Sequence, residues 1–298
     1  MRTIIISSMR RSPSRSLLAL VPLSLVGLTA CGSDDTTSGR PTVVTTTAIL
    51  GAVVSDVVGD AAEVVVLVPN GVDPHDWEPS AQDIESLNQA DLVVANGLDL
   101  EEKLVEALDS AESSGAPVFH ATDHIQPLEG DPHFWTDPLA MAAVVAALGD
   151  QLAAIGVDLS DRVDRVITDL KDVDGVITQL LSSLPEDRRV LVTGHDSLGY
   201  FAEHFGFTLV GSIIPSLSSA ADVTAQNLSE MKAAIDETGA PVIFTELGTP
   251  TDVADALADE TGTRVVELAT HLVPDDGLYR SFLLNLASDI VAALSATS

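Results

Sequence analysis

Short apolar runs alternate with amphipathic ones along most of the chain. "TVVTTT" (42–47) leads into "AILGAVVSDVVG", and "AEVVVLVP" (62–69) leads through a polar loop into "SAQDIESLNQA". Runs of β-branched residues predict strands, and apolar residues at helical spacing predict helices. Ser80 followed by Asp83 predicts a capped helix start. "DLVVAN" and "APVFH" predict two further strands with a helix around residues 99–110 between them. Residues 138–183 read as mostly helical, broken near "IGVDLSD", with no strand. From Arg189 the alternation resumes: "RRVLVTGH", "FTLVG", "PVIFTE" and "TRVVEL" as strands, with helices between and a last helix from about Leu278. Strands alternating with helices predict parallel sheets and an α/β class. Two such runs around a helical stretch predict two α/β lobes joined by a helix.

The first residues depart from this pattern. Arg2, Arg10, Arg11 and Arg15 form a basic region ahead of an apolar stretch from Leu17 to Leu28, too short to span a bilayer comfortably. It ends in "LTAC", with Gly32 after the only cysteine, Cys31. Small residues before a lone cysteine at the end of an export signal resemble a bacterial lipobox. That resemblance implies cleavage before Cys31 and a lipid on its thiol, the other reading being an ordinary signal peptide with an incidental cysteine. Residues 1–30 are then a lipoprotein signal peptide and 31–41 a flexible, polar tether.

Composition narrows the picture further. One cysteine excludes an internal disulfide, so the fold must hold by its core. About 257 residues after the tether suffice for two modest lobes. With the four signal arginines removed, 10 basic side chains face 45 acidic ones, a net charge of −35. Such a surface repels nucleic acid and anionic lipid, and it gathers cations without specificity. Solubility or adaptation to salt accounts for it equally well, so the charge alone identifies no site.

The histidines are more specific. "DPHDW" (73–77) returns as "DPHFW" (131–135), two copies of one phrase that suggest two parts of one site. Ligands of open α/β sheets bind beyond the carboxyl ends of strands. His75 follows the strand "EVVVLVP", His195 follows "RVLVTG", His271 follows "RVVEL", and His133 precedes a helix that starts near Pro138. His75 and His133 would come from the first lobe, His195 and His271 from the second. Neutral imidazole is a borderline-soft donor that suits zinc, and Pro74 and Pro132 stiffen the first two loops. Any one of these would ordinarily be a plain loop histidine; the joint pattern points to metal.

Three segments extend this reading. "LVPNGVDPHDWEPSAQDIESLNQADLVVANGLDLE", "DPHFWTDPLA" and "VTGHDSLGYFAEHFGF" resemble, in order, the first three ligand segments of the zinc- and manganese-binding solute-binding proteins (cluster A-I) that feed bacterial ABC importers, in their zinc-uptake branch. The resemblance covers residues 42–298. It implies an N-terminal α/β lobe (42–159), a long rigid linking helix (160–183) and a C-terminal α/β lobe (184–298), with the metal site in the interlobe cleft. His75, His133 and His195 match the family's ligands; a histidine at the third position is the choice of zinc members, where manganese members commonly carry a carboxylate. The fourth position departs from the pattern: "LATH" puts His271 where relatives have Asp. His271 is the expected ligand there, with water, Glu246, Asp275 or Asp276 as alternatives, Glu246 otherwise capping a helix and the two aspartates forming a turn.

The resemblance also implies a function. The chain is expected to capture Zn²⁺, with Mn²⁺ the lesser alternative, as a monomeric, lipid-anchored, extracytoplasmic receptor serving an ABC permease and its ATPase. A metal-binding adhesin on the same fold is the other role. An enzyme is not expected: H-E-x-x-H is absent, and Ser197 in "GHDS" lacks the G-x-S-x-G turn. His204 is expected at the surface or in packing, and His120 and His124 in an exposed loop near where relatives carry a His-rich one. Trp77 and Trp135 are expected to shield the loops. Asp73 and Asp131 are expected either to cap their turns or to orient imidazoles.

Overall fold

A computed structural model describes residues 39–296. The expected signal peptide and Cys31 lie outside the described residues. The first half of the described chain contains β1 (Thr42–Thr45), α1 (Ala48–Val58), β2 (Glu63–Val66), α2 (Ala81–Gln89), β3 (Leu92–Ala95), α3 (Val105–Ser113) and β4 (Val118–His120). The four strands form one parallel sheet in the order β2-β1-β3-β4. Helices α4 (Pro138–Ala154) and α5 (Ser160–Leu181) follow. The second half runs β5 (Val190–His195), α6 (Gly199–Phe205), β6 (Thr208–Ile214), α7 (Ala225–Thr238), β7 (Val242–Thr245), α8 (Thr251–Thr261), β8 (Arg264–Glu267) and α9 (Tyr279–Ser295). Its strands pair in parallel as β5 with β6 and β7 with β8, with β5 and β7 side by side. Two parallel-sheet α/β halves are therefore joined through a long helix, the fold class expected.

The central strands are buried on both faces, which explains why they read as continuous apolar runs. Val43, Leu92 and Val94 enter one core, while the alternating Val44, Val93 and Ala95 enter another beneath α2 and α3. In β5 and β7 the same alternation sends Leu191, Val242 and Phe244 one way, and Val192 and Ile243 the other. The larger core is shared: it runs under both sheets through α1, α4, α5 and α9. α5 supplies Val163, Val166, Leu170, Val173, Ile177 and Leu181, one face at three- and four-residue spacing, over about 33 Å of helix. Among the described residues no helix is long and apolar enough to cross a membrane.

Local signals hold where they are strong. Ser80 and Asp83 form a capping box at the start of α2. Asp137 accepts the Leu139 and Ala140 amides, and Pro138 opens α4. One helix is displaced from its expected span: α3 begins at Val105 rather than near residue 99. Gly97, Leu98 and Asp99 all take positive φ, which breaks any helix there and starts it a turn later.

Candidate metal centre

Every histidine singled out for the site sits at or beyond a strand end or on the loop ahead of α4. His75 lies after β2 in a turn whose backbone is tied by Asp73, which accepts the His75 amide at 3.0 Å. Asp131 does the same for His133 at 2.8 Å. The repeated Asp-Pro-His is thus a repeated local device: the aspartate caps the turn and proline limits the backbone before the imidazole. His195 is the last residue of β5, and His271 follows β8.

Three of the four imidazoles meet. His133 Nε2 lies 3.2 Å from both His75 Nε2 and His195 Nε2. Among the described residues, His75, His133 and His195 form a buried group whose ligand atoms all lie within 4.8 Å of one another. A tetrahedral ion with nitrogen ligands at 2.0–2.1 Å holds those nitrogens about 3.3 Å apart. His271 stands just outside this trio. Its ring stacks on that of His195 at 6.4 Å and meets Trp135 edge-on at 5.3 Å. Its Nδ1 is 3.0 Å from Thr270 Oγ1, while its buried Nε2 has no hydrogen-bond partner among the described residues.

The opposite ring nitrogens face oxygen. Asp131 Oδ1 lies 2.7 Å from His133 Nδ1, Glu246 Oε1 lies 2.8 Å from His195 Nδ1, and Glu102 Oε1 lies 3.4 Å from His75 Nδ1. Only the His133–Asp131 contact has hydrogen-bond geometry, while His75 Nδ1 and His195 Nδ1 lie near their carboxylates without it. A carboxylate accepting Nδ1–H leaves the Nε2 lone pair free for a metal. Glu246 also accepts the His195 amide at 3.0 Å and the Ser197 hydroxyl at 2.6 Å. Its position is set by close packing: Thr249 Oγ1 accepts the Glu246 amide and sits 1.9 Å from where a Cβ on Gly194 would lie.

Burial and these partners shift the ionisation. Burial holds His133 and His271 well below the ordinary histidine value, with the neighbouring imidazoles adding to it. His75 is lowered too, again mainly by burial. Burial also acts to lower His195, but the close Glu246 carboxylate outweighs it and the net shift is upward. Burial pushes Asp131 up to about 6.

The loop bearing His271 is held by the first half. Trp135 Nε1 donates to the Thr270 carbonyl at 3.0 Å, and the Gly71 amide to the His271 carbonyl at 3.4 Å. Asn70 then uses its whole amide, donating to the Val273 carbonyl and accepting the Val273 amide, both at 2.8 Å. Trp135 is itself fixed by the Tyr279 hydroxyl at 2.6 Å. It therefore does more than shield the loop. Trp77 packs, half-buried, against the core under α2 and α3.

The remaining candidates lie elsewhere. His204 faces Asp174 at 2.6 Å and Asp137 at 3.5 Å, tying α6 to α5 and to the start of α4. His124 is exposed and stacks on Phe119, and His120 ends β4 half-buried. Asp275 is exposed, and Asp276 accepts the Leu278 amide and the Ser281 hydroxyl at the start of α9. Glu102 and Asn70 carry no motif and could not be singled out from the sequence, and Ser197 reads there only as a nucleophile lacking its turn, not as the donor to Glu246 that it is. Glu101 and Asn96 are equally silent: buried Glu101 accepts the Asn96 amide, and Asn96 donates to the Pro132 carbonyl beside His133.

Two α/β halves with converging buried imidazoles at their strand ends define a metal-binding substrate-binding protein. The chain belongs to the ZnuA family, zinc-uptake complex component A, periplasmic, whose model matches residues 43–293. The zinc-binding protein TroA of Treponema pallidum is 32% identical over 295 residues, 91% of this chain and 95% of that one. Its solved structure matches with a TM-score of 0.77 at 30% identity, covering 86% of this chain and 99% of that chain. The manganese-binding lipoprotein MntA of Halalkalibacterium halodurans is 27% identical over 260 residues, 83% of this chain and 86% of that one. Relatives named for zinc and for manganese both occur, so membership establishes a metal-binding component of metal uptake and leaves the ion to the chemistry of the donors.

Proposed function

We propose that this protein captures Zn²⁺ outside the cytoplasm and delivers it to an ABC-type permease with its ATPase. In this reading the ligands are His75, His133 and His195, with His271 as the fourth, between lobes 42–159 and 184–298 that flank the helix of residues 160–183. A lipid on Cys31 holds the monomeric receptor at the membrane. The observation that carries it is the all-nitrogen cluster, with His133 Nε2 3.2 Å from the Nε2 atoms of both His75 and His195 and carboxylates on the far, Nδ1 side of the rings. Hard Mn²⁺ prefers oxygen and binds weakest in the divalent series, whereas zinc accepts imidazole readily. The buried, unpartnered Nε2 supports His271: an imidazole nitrogen without a partner costs stability unless something is bound there. The similarity to MntA favours manganese as the second reading.

The test is metal competition on the purified chain, with X-ray absorption of the zinc-loaded form. One zinc per chain, not displaced by micromolar Mn²⁺, and four imidazoles are expected. Displacement of stoichiometric zinc by Mn²⁺ would overturn the choice of ion. Three imidazoles, with His271→Ala binding normally, would remove His271 from the set.

A further inference from the structure

The loop between β6 and α7, "PSLSSAADVT" at residues 215–224, contains no histidine and no ligand motif. It nevertheless meets both carboxylates that flank His75. Ser219 Oγ donates to Asp73 Oδ2 at 2.6 Å, while the other oxygen of Asp73 accepts the His75 amide. Ser218 Oγ donates to Glu102 Oε1, the same oxygen that lies 3.4 Å from His75 Nδ1. Two adjacent hydroxyls of the second half thus grip two carboxylates of the first, one behind the His75 backbone and one behind its ring.

The loop is built to present them. The Ser218 amide donates to Ser216 Oγ at 3.1 Å, and the Ala220 amide to Ser218 Oγ at 3.2 Å, so the turn braces itself. Ser219 is buried, and Gly248 packs beneath it at positive φ. A Cβ on Gly248 would lie 2.6 Å from Asp73 Oδ2 and 2.8 Å from Ser219 Cβ. Three segments therefore close on one point with no spare volume. Glu102, by contrast, is 40% exposed, and without Ser218 little else would keep its carboxylate turned toward the ring.

We propose that Ser218 and Ser219 are positioning residues for metal retention. They hold Asp73 and Glu102, and through them His75, so that the His75 imidazole stays at the metal only while the β6–α7 loop is seated across the cleft. This rests on the reading of His75 as a ligand. On this side of the cleft, both bonds must break before the halves part. Their effect therefore falls on the release rate rather than on capture.

Zinc release from the loaded full chain into excess chelating dye, followed by stopped flow, tests it. Ser218→Ala/Ser219→Ala should release zinc roughly 10–100-fold faster, the range of changes behind a metal ligand. Capture and the melting temperature of the metal-free protein should change little. Ser218→Thr, which keeps the hydroxyl at a half-buried position, should release at the parent rate, and Ser218→Ala alone serves if the double variant does not fold. An unchanged release rate in the alanine variants, while His75→Ala abolishes tight binding, overturns the inference and leaves the site reading intact. Normal binding by His75→Ala overturns both. A lower metal-free melting temperature with unaltered release would make the serines structural only, and would also overturn it.

Discussion

Each imidazole of the centre has a different group behind it: Asp131 for His133, Glu246 for His195, Glu102 for His75 and the Thr270 hydroxyl for His271. A carboxylate behind an imidazole favours the proton on the nitrogen that faces it and aims the ring, and for His133 that contact is a hydrogen bond. Asp131→Asn and Glu246→Gln should each weaken zinc binding by roughly 10–100-fold with the fold intact. A competition titration against a chelator of known affinity measures it, and parent-like affinity in both would make the carboxylates bystanders. His75, His133 and Asp131 are legible because they lie in a short repeated phrase with its own turn chemistry, whereas His195 and His271 are read from their places at and after strand ends. From the sequence Glu246 reads as a ligand or a helix cap, whereas its carboxylate faces the Nδ1 side of His195, 51 positions earlier in the chain. No local pattern encodes a partner that distant.

At the scale of elements, strands and capped helices follow from period and punctuation, and most were readable. The loops that carry the site are not periodic, so the grip of one half on the other was hidden. Asn70 is the clearest case: one side chain pairs with both backbone groups of Val273, 203 residues away, in the manner of a single strand bridge. Asn70→Ala leaves that amide and carbonyl partly buried without partners, at about 1–3 kcal/mol. A lower denaturant midpoint is expected, with faster amide exchange confined to residues 270–273. Exchange there at the parent rate would mean that Trp135 and Gly71 suffice to hold the loop.

For the whole molecule, the shifted histidines predict how the metal-free protein responds to acid. His133, His271 and His75 have folded values below the ordinary 6.5, so below that pH the unfolded chain takes up protons that the folded chain refuses. Their contribution to stability is therefore lost as pH falls. His195 works the other way: its raised value gives stability that is full below 6.5 and lost as pH rises through the folded value. Asp131, at about 6 against an ordinary 3.8, likewise stabilises at low pH and loses that contribution as pH rises between the two. Three of these histidines are held below 6.5 and one above it, so the melting temperature without metal should fall from pH 7 to about 5.5. The gain from added zinc should shrink over the same range, because only neutral imidazole coordinates. Calorimetry with and without chelator checks both, and a metal-free protein that grows more stable on acidification would put the His195–Glu246 pair and Asp131 in control.

The α/β class and the two halves were visible in the alternation of runs, but the core that joins them was not. α5 follows the first sheet in the chain, yet its buried face packs on α9, the last helix of the second half, and α1 touches both. The two sheets suggest two modules, whereas the packing does not separate there. A second half transplanted from a relative would bring its own α9 to a foreign α5, and Phe282, Leu286 and Ile290 would meet a surface shaped for other side chains. Recombination between family members should therefore succeed by exchanging the loops at the strand ends, and fail at the junction after α5, where the chain alone suggests a seam.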